Sequence, residues 1–218
     1  MANSRMRTAA ARAASRIIVT AVLAANSTSI YAEAAAHHHP QPAARNLRIS
    51  TAEYMVPDVW LIRQDGKKVS LSNELDDGRP VVLNFIFTTC PGICPLMSHT
   101  FGQFQDRLGV DRDRVHMMSI SIDPEQDTTA RLRAYAQQFS AGSQWDHYTG
   151  TVAASITVQK AFDAYRGDKM GHDPLTLMRG APGKPWLRLD GFANSQELFD
   201  QFAALTSRSE RISRTASK

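Results

Sequence analysis

Two cysteines are all that 218 residues contain. That excludes a disulfide-dense scaffold and any zinc or iron–sulfur site built on four cysteines. A chain of this length buries a core without such staples. Aromatics are few as well, 8% of the residues. No apolar run approaches the roughly 20 residues that span a bilayer. No internal repeat is visible. With 43% of residues in the hydrophobic set and 21% charged, most of the chain is expected to fold.

Acidic residues are absent where the first basic ones occur. Arg5, Arg7, Arg12 and Arg16 have no Asp or Glu among them, and the short apolar run Ile17–Ala25 follows. Asn26 to Ser29 come next, then the small-x-small triplet Ala32-Glu33-Ala34. This order reads as a secretory signal peptide over residues 1–34. Left uncleaved, it would be a membrane anchor, though the run is short for one. A buried amphipathic helix is the structural alternative, and the following stretch is poor in core formers. No cysteine adjoins the cleavage site, so lipid attachment has no support.

The segment also accounts for most of the charge. The chain carries 25 Lys+Arg against 21 Asp+Glu, a formal +4. Residues 1–34 hold four of the former and one of the latter, which leaves 21 against 20, or +1. Nucleic acid is therefore not an expected partner. Residues 35–50 read as a flexible linker, with His37-His38-His39 before Pro40 and Pro42. Three adjacent histidines can hold a divalent metal, but a floppy site pays ordering entropy, so a solvated tail is the plainer reading. Residues 51–206 form the folded domain, and the polar stretch 207–218 is read as a disordered tail.

Within the domain, Val59-Trp60-Leu61-Ile62, Asp65-Gly66 and Lys68–Leu71 make a hairpin. Pro80–Phe87 is nearly all apolar and suits a central strand covered on both faces. A helix carrying Leu96, Phe101, Phe104 and Leu108 follows. Val115–Ile122 is the next strand, and Asp127 is placed as N-cap of a helix with Leu132, Tyr135 and Phe139. Trp145–Tyr148 is a short strand and Val152–Tyr165 a helix. Leu175–Met178 and Trp186–Leu189 form a hairpin across Gly180–Gly183, and a last helix carries Leu198, Phe199, Phe202 and Leu205. Helices alternating with buried strands make an α/β domain. The expected fold is thioredoxin-like, a central mixed β-sheet flanked by helices. An N-terminal β-hairpin and a hairpin insertion near the C-terminal end complete it.

The two cysteines, Cys90 and Cys94, stand three residues apart at a strand-to-helix junction. Pro91 and Gly92 favour a turn, and Pro95 suits a first helical turn. Unpaired N–H groups and the dipole at the helix start favour thiolate over thiol. Three chemistries are open. A structural disulfide closes too small a loop to stabilise much. A redox dithiol ordinarily has two intervening residues rather than three. A soft-metal site suits two thiolates, and an added imidazole would accept Cu(II) as well as Cu(I).

Phe85-Ile86-Phe87-Thr88-Thr89-Cys90-Pro91-Gly92-Ile93-Cys94-Pro95 resembles the copper-site signature of the Sco/SenC family. Ser119–Thr128 resembles its second motif, and Met170-Gly171-His172-Asp173-Pro174 sits where that family has its ligand histidine. The likeness runs from about Met55 to Phe202. It implies a thioredoxin fold and one copper ion, Cu(I) or Cu(II), held by Cys90, Cys94 and His172. It implies a metallochaperone that assists copper-centre assembly in a respiratory oxidase. An oxidase subunit would be the copper acceptor, and a copper donor or thiol reductant protein would be a further partner. With the signal peptide, the place is outside the cytoplasm, a bacterial periplasm. Membrane contact would come only through the partner or an uncleaved N-terminus.

Read on their own, His99 lies on the helix after the cysteines, His116 in a strand and His147 among aromatics. His172 is on a loop anchored by the following strand. Met170 could add a thioether, although filling a gap is the plainer role. Asp123 is a candidate to orient a ligand. Asp173 departs from the Ser or Thr usual in the family, and a carboxylate there could hydrogen-bond the imidazole. The rival function is a thiol–disulfide oxidoreductase acting on the cysteines of a copper-site target. Cys90 would attack and Cys94 would resolve. A thiol peroxidase is weaker still, since no arginine is placed for it.

Overall fold

The strand that leads into the cysteine turn, Val81–Ile86, is buried over its whole length, and the fold is built outward from it. The computed structural model describes residues 47–216, with side chains to residue 207. The predicted signal peptide and His37–His39 lie outside the described residues. Eight strands form one sheet: β1 Arg48–Ala52, β2 Trp60–Arg63, β3 Lys68–Ser70, β4 Val81–Ile86, β5 His116–Ser121, β6 Trp145–Thr149, β7 Leu175–Arg179 and β8 Trp186–Asp190. Their order is β1-β8-β7-β4-β5-β6-β2-β3. β4, β5 and β6 run parallel, while the other pairings are antiparallel.

Parallel neighbours need crossovers, and helices supply them. α1 is Leu71–Leu75, α2 Ile93–Leu108, α3 Thr129–Gln138, α4 Val152–Ala161 and α5 Ser195–Ala216. α2 links β4 to β5, and α3 links β5 to β6. Alternation along β4 sends Val81, Leu83 and Phe85 to one core with Leu61, Tyr148, Phe162 and Trp186. Val82 faces the other, with Phe101, Phe104, Trp145 and Phe202. The ring pair Phe104–Phe202, centroids 5.6 Å apart, docks α5 on α2. Each such buried ring stabilises the fold by roughly 2–3 kcal/mol. A third cluster, Ile86, Phe87, Cys94, Leu132 and Tyr135, closes the end of β4.

Several expectations change. The last residues of the predicted linker 35–50 belong to β1, which pairs with β8 from Arg48↔Asp190 to Ala52↔Trp186. The folded region thus begins before residue 51. β1 is an edge strand with four of five residues exposed, so no apolar alternation announces it. Leu71 starts α1 instead of ending the return strand; its helix neighbour Leu75 is also fully buried. α4 stops at Ala161, and Asp163 takes a positive φ of 51° that ends the helix. The predicted tail 207–218 is helical to Ala216; neither proline nor glycine interrupts it. The N-cap of α3 is Thr128, whose hydroxyl accepts from Arg131 N, so Asp127 is free for another task.

Candidate metal centre

Asp127 fastens the end of β4. Its side chain is fully buried. It accepts hydrogen bonds from Thr88 N at 3.1 Å, Thr88 Oγ1 at 2.6 Å and Ser121 Oγ at 2.6 Å. The turn that follows β4 is thereby tied to the end of β5, two residues before the first cysteine. Cys90 N donates to Phe87 O, which closes that turn. Asp127 is the site residue that the sequence reading misplaced. Its partners Thr88 and Ser121 lie 39 and 6 residues away and meet it only in the fold, so no local signal marked the role.

The two cysteines are hydrogen-bonded neighbours. Cys94 N donates to Cys90 Sγ at 3.4 Å, and neither cysteine is in a disulfide. Cys90 is half-buried and Cys94 buried. The expected thiolate is not what the surroundings favour at Cys94. Burial pushes its thiol pKa well up, the Phe87 backbone offsets part of this, and Cys90 and Asp127 add to the rise. Desolvation here outweighs the helix end.

His172 docks on the same strand. β7 pairs with β4 only as far as Asn84↔Thr176. Beyond that point Phe85 O has no β7 partner, and His172 Nε2 lies 3.0 Å from it. Nε2 therefore carries the proton, and Nδ1 keeps a free lone pair. Burial lowers the His172 pKa, which favours this neutral form. A histidine held through one nitrogen by a backbone carbonyl is oriented to ligate through the other.

The preceding turn, Lys169–Gly171, is closed by His172 N donating to Lys169 O at 3.2 Å. Lys169 Nζ reaches Asp123 Oδ2 at 2.6 Å and lies 5.7 Å from the Phe87 ring centre. Asp173 pairs with Arg166 Nε at 3.0 Å and makes no hydrogen bond to the imidazole. The guanidinium is a stronger donor for it than a neutral ring. Met170 points outward, 62% exposed. A cavity of about 320 Å³ opens beside the loop, lined by Asp123, Glu125, Ser155, Gln159, Arg166 and His172 among others.

The ligand atoms of Cys90, Cys94 and His172 do not converge within 4.8 Å. Among the described residues that distance is met by Glu74, His116 and Asp146. There His116 is already bonded to Glu74 O and Tyr148 Oη, and Arg63 stands 3.9 and 3.8 Å from the two carboxylates. That cluster is an ion-pair network with its cation in place. His99 is exposed beside Gln103, and His147 is packed on Trp145 with rings 5.1 Å apart.

A thiol pair at the strand-to-helix junction of a mixed, helix-flanked sheet defines a protein of the thioredoxin-like class. More narrowly, the chain belongs to the SCO1/SenC family, whose profile matches residues 49–206. It is 33% identical over 150 residues to the SCO1 protein homolog of Bacillus subtilis (strain 168), covering 65% of this chain and 77% of that one. It is 37% identical over 83 residues to the mitochondrial SCO1 homolog 1 of Arabidopsis thaliana, covering 36% of this chain and only 23% of that protein. Among solved structures it is similar to BsSco, described as a member of the Sco family of cytochrome c oxidase assembly proteins with a disulfide switch. The identity is 27%, the TM-score 0.60, and the coverage 72% of this chain and 96% of that one. It shares the fold of Bradyrhizobium japonicum ScoI, solved with copper bound, at 24% identity and a TM-score of 0.57, covering 69% and 99%.

Proposed function

We propose that this chain is an exported copper-binding assembly factor that carries one copper ion on Cys90, Cys94 and His172 and hands it to a respiratory oxidase subunit. The observation that carries the reading is the donor set around the end of β4: two cysteines joined by the Cys94 N to Cys90 Sγ hydrogen bond and an imidazole whose Nε2 is already tied to Phe85 O. Two soft sulfurs and one nitrogen suit copper in either oxidation state. Family membership and the copper-bound relative support the same cargo.

Binding replaces the two thiol protons with the metal. Cys94 forms the buried floor of the site and half-buried Cys90 its rim, so an acceptor thiol meets Cys90 first. Transfer then proceeds by ligand exchange. His172, on a segment between a short turn and β7, is the ligand whose movement closes or opens the site. The histidines at 37–39, which lie in the predicted linker, are a second candidate for holding a divalent ion.

A second reading stands on the hydrogen bond from Cys94 N to Cys90 Sγ, which sets the two cysteines side by side, and on the disulfide switch described for BsSco. Cys90 as thiolate would attack a target disulfide, releasing one target thiolate. Cys94 would then displace the second and leave a Cys90–Cys94 disulfide, with a thiol reductant protein restoring the dithiol. His172 separates the two readings, since dithiol exchange has no use for it. The test is Cu(I) stoichiometry of the purified chain. One copper per chain, lost in Cys90→Ser and weakened in His172→Ala, is expected. Equal binding by all three proteins would defeat the proposal.

A further inference from the structure

The loop that carries His172 and the turn that carries Cys90 are joined by a continuous polar path that involves no metal. Lys169 Nζ donates to Asp123 Oδ2 at 2.6 Å, and Asp123 N donates to Ser121 Oγ at 3.0 Å. Ser121 Oγ donates to Asp127 Oδ2 at 2.6 Å, and Asp127 Oδ1 accepts from Thr88 Oγ1 at 2.6 Å. Every member except Lys169 and Thr88 is buried, and Thr88 is half-buried. Lys169 is the link that crosses from the sheet to the loop. Its carbonyl closes the turn onto His172 N, so a fixed Lys169 fixes the backbone of the histidine.

We propose that Lys169 is a positioning residue for the metal site, registering the His172 loop against the cysteine turn through Asp123. This rests on the reading of Cys90, Cys94 and His172 as the copper ligands. Two physical effects converge on it. Ordering a loop at the moment of binding costs affinity, and a preformed tie removes that cost. A Cu(I) ion held by two thiolates would also leave a net negative charge, and the Asp123 and Asp127 carboxylates belong to the path that backs the turn. The Lys169 ammonium, set over the Phe87 ring, places a positive charge beside it. The same pairing leaves Asp123 less than a tenth exposed and already paired, so it does not compete as an oxygen ligand.

The proposal is tested in the full chain with Lys169→Met, Lys169→Arg, Asp123→Asn and the Lys169→Met/Asp123→Asn pair, beside His172→Ala. Cu(I) affinity and the rate of release to a chromophoric chelator are measured, with the EPR spectrum of the Cu(II) form as the geometric readout. Lys169→Met is expected to weaken Cu(I) about fivefold, speed release and shift the EPR parameters. Lys169→Arg should restore all three, and the double variant should be no worse than Lys169→Met alone. Wild-type affinity and spectrum in Lys169→Met, with His172→Ala weakened, would overturn the role of Lys169 and leave the ligand set standing. Fully additive losses in the double variant would also overturn it. Unchanged binding in His172→Ala would overturn the ligand set, and this proposal with it.

Discussion

Replacing Asp127 isolates what holds the cysteine turn. The fully buried carboxylate accepts from Thr88 N and Thr88 Oγ1, of a half-buried residue, and from the buried Ser121 Oγ. The two hydroxyls can turn to other acceptors, but the Thr88 N–H cannot. An orphaned buried donor costs about 1–3 kcal/mol, and hydrogen bonds to a charged group contribute about 1.5–3 kcal/mol. Asp127→Ala should therefore destabilise by about 3 kcal/mol, a large share of the roughly 5–15 kcal/mol that holds a domain together. Asp127→Asn keeps one acceptor oxygen and should lose about half as much. Urea unfolding at neutral pH, with constant m-value, reads both. Thr88→Val removes the hydroxyl but leaves the N–H and should cost about 1 kcal/mol. A loss below about 1 kcal/mol in Asp127→Ala would refute the reasoning, because such a donor is expensive to leave unpaired. Both Asp127 variants should also release Cu(I) faster, since the turn before Cys90 loses its tie to β5.

Other consequences follow from burial and charge. His147 is fully buried, and desolvation lowers its pKa from 6.5 to about 4. The folded state thus holds this ring neutral while the unfolded chain protonates it, so stability present above pH 6.5 is lost as pH falls toward 4. At about 1.4 kcal/mol per pH unit, the total is about 3 kcal/mol. His147→Phe, which keeps the stack on Trp145, should flatten that slope in denaturant melts at pH 7 and pH 4.5; an unchanged slope would contradict it. Because the Cys94 thiol pKa is raised, a Cu(I) ion bound there would displace its proton throughout the neutral range. The apparent affinity should rise at least about tenfold per pH unit between pH 6 and 8; a flat profile would place Cys94 outside the site. In the metal-free dithiol, iodoacetamide should modify half-buried Cys90 at least about tenfold faster than buried Cys94. Peptide mass spectrometry reads the ratio, and equal rates would refute it.

The parts of the fold legible in the sequence are those where one segment decides its own fate. β4 and β5 are six residues each and buried throughout. A near-continuous apolar run marked β4, while β5, with His116, Ser119 and Ser121 buried among its apolar residues, was legible from its Met and Ile positions and the Asp-Pro that closes it. The hairpins at 60–70 and 175–190 were marked by their turns. β1 was hidden because its pairing with β8, not its own pattern, makes it a strand. α1, five residues long, was too short for a period to show. The cysteine pair was legible because spacing and flanking Pro and Gly are local. What could not be read was long-range: Asp127 serves Thr88, 39 residues away, rather than the adjacent helix. Likewise Lys169 answers Asp123 across 46 residues, and Asp173 turns to Arg166 rather than to the imidazole beside it. Burial of Cys94 reversed the expected thiolate, since a helix end is a local feature and desolvation is not.

On the proposed function, a distal imidazole completes a two-sulfur copper site. This is tested most directly by adding one equivalent of Cu(II) to the full chain and recording visible and EPR spectra, with His37, His38 and His39 replaced by alanine throughout. A sulfur-to-copper charge-transfer band is expected that is abolished in Cys90→Ser and shifted, with altered EPR hyperfine splitting, in His172→Ala. Identical spectra with and without the His172 imidazole would contradict it.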